Sequence, residues 1–111
     1  MSQFIDDLID DVQLMQTRYE IAKEQGDYNF YEVVKPFTTH IDNLITQIKL
    51  HEADILSLTY MNKQKFEILI SNIETLSVEC HFKRTSRKLF MEKLKAVQYD
   101  LGYIHRSELT L

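Results

Sequence analysis

The adjacent pair Cys80-His81 is the first place in this sequence where side chains could do chemistry. A thiolate is the nucleophile in cysteine catalysis, and Lys83 and Arg84 close by would lower a thiol pKa. A catalytic Cys ordinarily has its His delivered by the fold rather than by the next residue. Neighbouring side chains on a helix also point about 100° apart. Cys80 falls on an apolar helical stripe, so the spacing predicts a buried, inert thiol. The histidines offer a second chemistry, because carboxylate-bridged metal centres in helical bundles use Glu-x-x-His pairs on two helices. Three positions before His40, His51, His81 and His105 stand Phe37, Ile48, Val78 and Gly102, so that pattern is absent. His51 lies on an apolar stripe and is expected as a hydrogen-bonded core or boundary histidine. Asp6, Asp7, Asp10 and Asp11 could offer oxygens to a hard cation, but helical i,i+4 pairs bring only two to a face. They are expected as a solvated face at a helix start, where the dipole favours carboxylates. No catalytic residue, metal ligand or cofactor is expected.

Two groups of residues could instead make a contact surface. Lys83, Arg84, Arg87 and Lys88 form a basic run, continued by Lys93 and Lys95, in a chain of net charge −4. Such a cluster suits an anion, an acidic partner or nucleic acid, or else is a solvated helix start that keeps the protein soluble. Tyr28, Phe30 and Tyr31 form an aromatic group of the kind enriched at interfaces, or else a lid over the end of the core.

The elements that must carry these residues are helices. Only Gly26, Gly102 and Pro36 supply the two turn-forming residue types, too few for the many turns of a β fold. At 111 residues, 44% apolar and 27% charged, the chain is expected to be one ordered domain that needs neither disulfide nor metal. Ile5, Leu8, Val12, Met15, Tyr19 and Ala22 recur at steps of three and four, predicting a first helix over about residues 3–24. Ser2 is its candidate N-cap, and Gly26 its stop through a left-handed C-cap. Asn29 and Glu32 resemble a capping box for a second helix. Pro36 should kink it, or divide it into a short turn and a longer helix. Phe37, Ile41, Leu44, Ile45, Ile48 and His51 continue the stripe, with the helix fading at residues 56–58. Asn62, or alternatively Thr59, caps a third helix from Lys63 to about His81, carrying Phe66, Leu69, Ile70, Ile73, Leu76 and Cys80. Thr85 or Ser86 caps a fourth, from Arg87 to about His105, carrying Phe90, Leu94, Val97, Leu101 and Ile104. Four such stripes bury one another best as an antiparallel up-down-up-down four-helix bundle. Three helices with a broken second one are the main alternative.

The stretch Tyr28-Asn29-Phe30-Tyr31-Glu32-Val33-Val34-Lys35-Pro36 resembles the aromatic-rich, Lys-Pro-terminated motif of the YppE-like family, small proteins of low-GC Gram-positive bacteria. A second similarity runs from Cys80-His81-Phe82-Lys83-Arg84 through Tyr103-Ile104, where a His and a basic turn lead into a final amphipathic helix. Order and spacing match over roughly residues 15–104. The resemblance implies a four-helix bundle and brings no established activity, cofactor or catalytic residue.

These features favour a non-enzymatic binding or adaptor bundle that contacts a protein or an acidic ligand. The alternative is a small-ligand or metal-binding bundle with weak catalysis, drawing on His51, His81 or Cys80. The negative net charge argues against nucleic acid. No apolar run approaches the ~20 residues that span a bilayer, so no membrane contact is expected. Acids stand at Asp6 and Asp7 where a signal peptide would be basic, and Cys80 is a lone thiol. A cytoplasmic protein, monomeric or weakly dimeric, is therefore expected.

Overall fold

The computed structural model describes residues 3–107 and Leu109. Its elements are α1 (Gln3–Gln25), a π-helical turn (Phe30–Val34), α2 (Lys35–Leu50), α3 (Glu52–Leu56), α4 (Lys63–Glu79) and α5 (Arg87–Arg106). Among the described residues there is no strand, so the protein is all-α. No helix among them is long and apolar enough to cross a membrane. Ser2, the expected cap of the first helix, lies outside the described residues.

Local chemistry sets most of the boundaries. Gly26 ends α1 at φ +97°, a backbone conformation that costs residues with a Cβ. Its N–H donates to the Ala22 carbonyl at 2.9 Å. The Asn29 side chain accepts from the Glu32 N–H, and that of Asn62 from the Lys65 N–H, both at 2.8 Å. Ser86 accepts from the Leu89 N–H at 3.3 Å and opens α5. Each cap satisfies a backbone donor that a helix start leaves unpaired.

Pro36 gives rise to a short turn followed by a longer helix. It has no N–H to offer the Glu32 carbonyl, and its ring crowds that carbonyl. The chain responds by widening one turn. Lys35 donates to the Phe30 carbonyl, and Val34 to that of Asn29 at 3.2 Å, both five residues back. Lys35 keeps helical angles (φ −61°, ψ −48°) despite preceding a proline. Val34 and Phe37, buried on either side of the Lys35-Pro36 pair, hold the segment in place.

The second helix also breaks where the sequence carries no signal. The expectation of one helix fading at residues 56–58 gives way to α2 and α3, separated by His51 at φ −104°, ψ 16°. The His51 ring is half-buried and stacks on Phe4 at 5.1 Å, with 8° between the planes. Its carbonyl accepts from the Ile55 N–H and restarts the helix. Among the described residues the expected four helices become five α-helices for this reason.

Packing follows the stripes. α1 lies against α2, α4 and α5, and α4 also lies against α2 and α5, while α3 bridges α2 and α4. Every apolar residue assigned to a stripe is buried. Phe4, Val34, Ile55 and Met61 join them from outside the stripes.

Candidate functional site

The chemistry-bearing pair Cys80-His81 lies just beyond α4, and the fold delivers to it a residue from the other end of the sequence. Arg18 Nη1 is 2.9 Å from His81 Nε2. A guanidinium can only donate, so Nε2 accepts and the imidazole is neutral with its proton on Nδ1. Nδ1 lies 3.3 Å from Cys80 Sγ, and the Val78 and Ser77 backbone groups stand close to the ring. Tyr28 and Phe37 meet the His81 ring edge-on at 5.3 and 5.4 Å. The Arg18 guanidinium sits over the same two rings, 4.7 Å from the Phe37 centroid and 5.8 Å from that of Tyr28. A cation held on aromatic faces and on a histidine lone pair is well compensated for partial burial. Periodicity does not mark Arg18 as special, although it is three residues after Met15 and four before Ala22, on the flank of the α1 stripe.

This arrangement argues against a Cys–His catalytic pair. The one basic nitrogen of His81 is occupied by Arg18, so it cannot take the thiol proton. Burial pushes the Cys80 thiol up to about 12, against a smaller opposing pull from the Arg18 charge. His81 is held below its ordinary value, first by burial and then by the Arg18 charge, with the Val78 and Ser77 carbonyls opposing. A depressed histidine pKa means that the unfolded chain takes up a proton near pH 6.5 while the folded chain resists it. The stability tied to His81 is thus present above about pH 6.5 and lost as pH falls toward the folded value, by at most about 1.4 kcal/mol per pH unit. Denaturant titrations at pH 7 and pH 5 should show a larger loss for the wild type than for His81→Asn. Equal losses in the two proteins would sink this assignment.

The two connections that carry the surface groups singled out by the sequence are bonded to each other at Tyr28 and Lys83. The Tyr28 N–H donates to the His81 carbonyl at 3.0 Å, and the Lys83 N–H to Asp27 Oδ1 at 2.8 Å. Lys23 Nζ donates to the Lys83 carbonyl at 2.7 Å, and Tyr19 Oη to that of Thr85 at 3.2 Å. The α1–α2 and α4–α5 connections are therefore tied to each other and to α1. Lys83, Arg84, Arg87 and Lys88 are all exposed. Arg87 differs from the rest: it bonds both oxygens of Glu20, at 2.8 and 3.3 Å, and lies over the Tyr19 ring. That bond holds the Glu20 carboxyl below its ordinary value. Among the described residues Lys83, Arg84 and Lys88 form no ion pair. The aromatics divide as well. Tyr28 is half-buried against His81, whereas Phe30 is 50% and Tyr31 76% exposed.

The carboxylates near the start of α1 disperse. Asp11 reaches His40 on α2 at 2.6 Å, Asp6 reaches His105 on α5 at 3.1 Å, and Asp7 accepts from Gln3. Among the described residues no three His, Cys, Asp or Glu side chains converge as metal ligands would.

Comparison with known proteins agrees with this architecture. The profile of the bacterial domain of unknown function DUF1798 matches residues 5–107. A crystal structure of a DUF1798-family domain of unknown function from Staphylococcus aureus subsp. aureus is 58% identical, with a TM-score of 0.88 over 91% of this chain and 89% of that one. YppE from Bacillus subtilis is 20% identical, with a TM-score of 0.81 over 94% of each chain. A protein of unknown function from Listeria innocua is 15% identical, with a TM-score of 0.80 over 91% of this chain and 84% of that one. The last two share the fold alone. None of the curated proteins compared with the chain matches it. Since the family profile runs from the first turn of α1 to just past the end of α5, the chain belongs to the DUF1798 family, the YppE-like bacterial proteins to which its aromatic Lys-Pro stretch pointed.

Proposed function

We propose that this protein is a non-enzymatic binding or adaptor module, a single cytoplasmic domain that acts as a monomer or weak homodimer. Its four long helices are read as an antiparallel up-down-up-down bundle, bent where the π-helical turn meets α2. Its contact surface comprises Lys83, Arg84 and Lys88 with Phe30 and Tyr31, and its partner is a protein or ligand bearing negative charge. The observation that carries this reading is the tie between the two connections, through Tyr28 to His81 and Asp27 to Lys83. It supports this reading because it fixes the two connections that carry these cations and aromatic rings against each other, and a pre-ordered segment costs less to order on binding. Tyr28 packs beneath this surface against His81, and the exposed Arg87 supports it through its tie to Glu20. The alternative, a ligand- or metal-binding bundle using His51, His81 or Cys80, has less support. His81 and Cys80 are engaged inside the protein, and His51 stacks on Phe4 at the junction of α2 and α3.

The test is Arg84→Glu combined with Lys88→Glu, which spares the Arg87–Glu20 tie. A fluorescein-labelled acidic octapeptide is titrated at two ionic strengths. Wild-type binding should weaken with salt, and the double variant should bind at least about tenfold more weakly with a flatter salt response, because exposed charges are screened. Unchanged affinity and unchanged salt response would remove the basic turn from the contact surface.

A further inference from the structure

We propose that the groove between the end of α4 and the start of α5 is a docking slot for an acidic protein segment that carries a large apolar side chain. The proposal deepens the binding reading above and rests on it. The groove encloses about 430 Å³, within the range of small ligand sites. Val78, Phe82 and Leu89 line it beside Arg84. Val78 is 41% and Leu89 53% exposed. Neither belongs to the core stripes, which run through Leu76 and Cys80 on one side and Phe90 and Leu94 on the other. Both therefore leave apolar surface in water with little return in folding. Single exposed apolar residues are ordinary on any surface. Here two of them converge with Phe82 on one concavity.

Charge selects the occupant. The Arg84 guanidinium lies 5.7 Å from the Phe82 ring centroid, at the groove itself. Lys83 and Lys88 flank it in sequence and form no ion pair among the described residues. The one carboxylate lining the groove, Glu79, is held by Lys93 at 3.3 Å. The groove thus sets three apolar side chains beside the Arg84 cation, which forms no ion pair among the described residues, on a protein whose net charge is −4. A carboxylate-rich segment is attracted to the cation, and a leucine or phenylalanine within it gains from the apolar side chains. The negative net charge of the whole chain disfavours nucleic acid.

Two fluorescein-labelled peptides of equal negative charge test the slot against the intact chain. One carries a central Leu and Phe among Asp and Glu residues; the other carries Ser at those two positions. The apolar peptide should bind at least about tenfold more tightly, as burial of one large side chain implies. Val78→Ser combined with Leu89→Ser should abolish that preference while leaving the charge-driven affinity shared by both peptides. Circular dichroism of this variant should match the wild type. Equal binding of both peptides to the wild type overturns the slot yet leaves the basic contact surface standing. Binding of neither overturns both readings. Tighter binding of oligouridylate than of the apolar peptide overturns the choice of partner.

Discussion

Leu94→Ala lowers the unfolding free energy by about 2–5 kcal/mol, and Ile73→Ala by a similar amount. Both side chains are fully buried, one on α5 and the other on α4, two helices that pack against each other. Truncation removes apolar atoms from the interior and leaves a cavity that rigid helices cannot close, so the lost transfer energy and the cavity cost add. The losses are read from denaturant titrations, with the slope expected to stay constant if the unfolded state is unchanged. Leu50→Ala is the control, because Leu50 is 79% exposed at the end of α2 and should cost within about 0.5 kcal/mol. A loss below about 0.5 kcal/mol for either core variant would mean that these stripes do not face the interior.

Cys80 reacts with thiol reagents roughly a thousandfold more slowly in the native protein than in the unfolded chain. The reacting species is the thiolate. Burial raises the native pKa from 9.0 to about 12, so at pH 8 the native thiolate fraction is about three orders of magnitude smaller. The sulfur is also fully buried, so collision with a reagent requires opening of the structure. The measurement is the rate of release of a chromogenic thiolate from an aromatic disulfide, in buffer and in denaturant. Rates within tenfold of each other would place Cys80 in an accessible, activated setting and revive the nucleophile reading. Cys80→Ala should leave the Arg18–His81 contact in place, because that contact uses Nε2 rather than the nitrogen facing the sulfur.

What could be read from the residues alone was whatever acts over three or four positions. The caps at Asn29, Asn62 and Ser86 and the stop at Gly26 each depend on a side chain or a φ angle within one turn of the boundary. The stripes of α1, α2, α4 and α5 follow from the helical period, and every apolar residue assigned to them is buried. The family match and the all-α class rest on the same local order. The Lys35-Pro36 pair announced a disturbance, because a missing N–H is a covalent fact. That the disturbance takes the form of a π-helical turn depends on Val34 and Phe37 being held by the core.

Tertiary structure decided everything that joins distant parts of the chain. Arg18 and His81 are 63 positions apart, Glu20 and Arg87 67, and Asp11 and His40 29. Such pairs depend on how each helix is rotated about its axis and how far it slides along its neighbour, and periodicity specifies neither. The break at His51 is of the same kind: no Gly or Pro marks it, and the Phe4 ring that stacks there comes from the first turn of α1. The basic run illustrates the limit most directly. Its four cations look equivalent in sequence, but Glu20 occupies Arg87, while Lys83, Arg84 and Lys88 form no ion pair among the described residues. Charge is a property of residue type, whereas the availability of that charge depends on which carboxylates the fold carries to within about 4 Å.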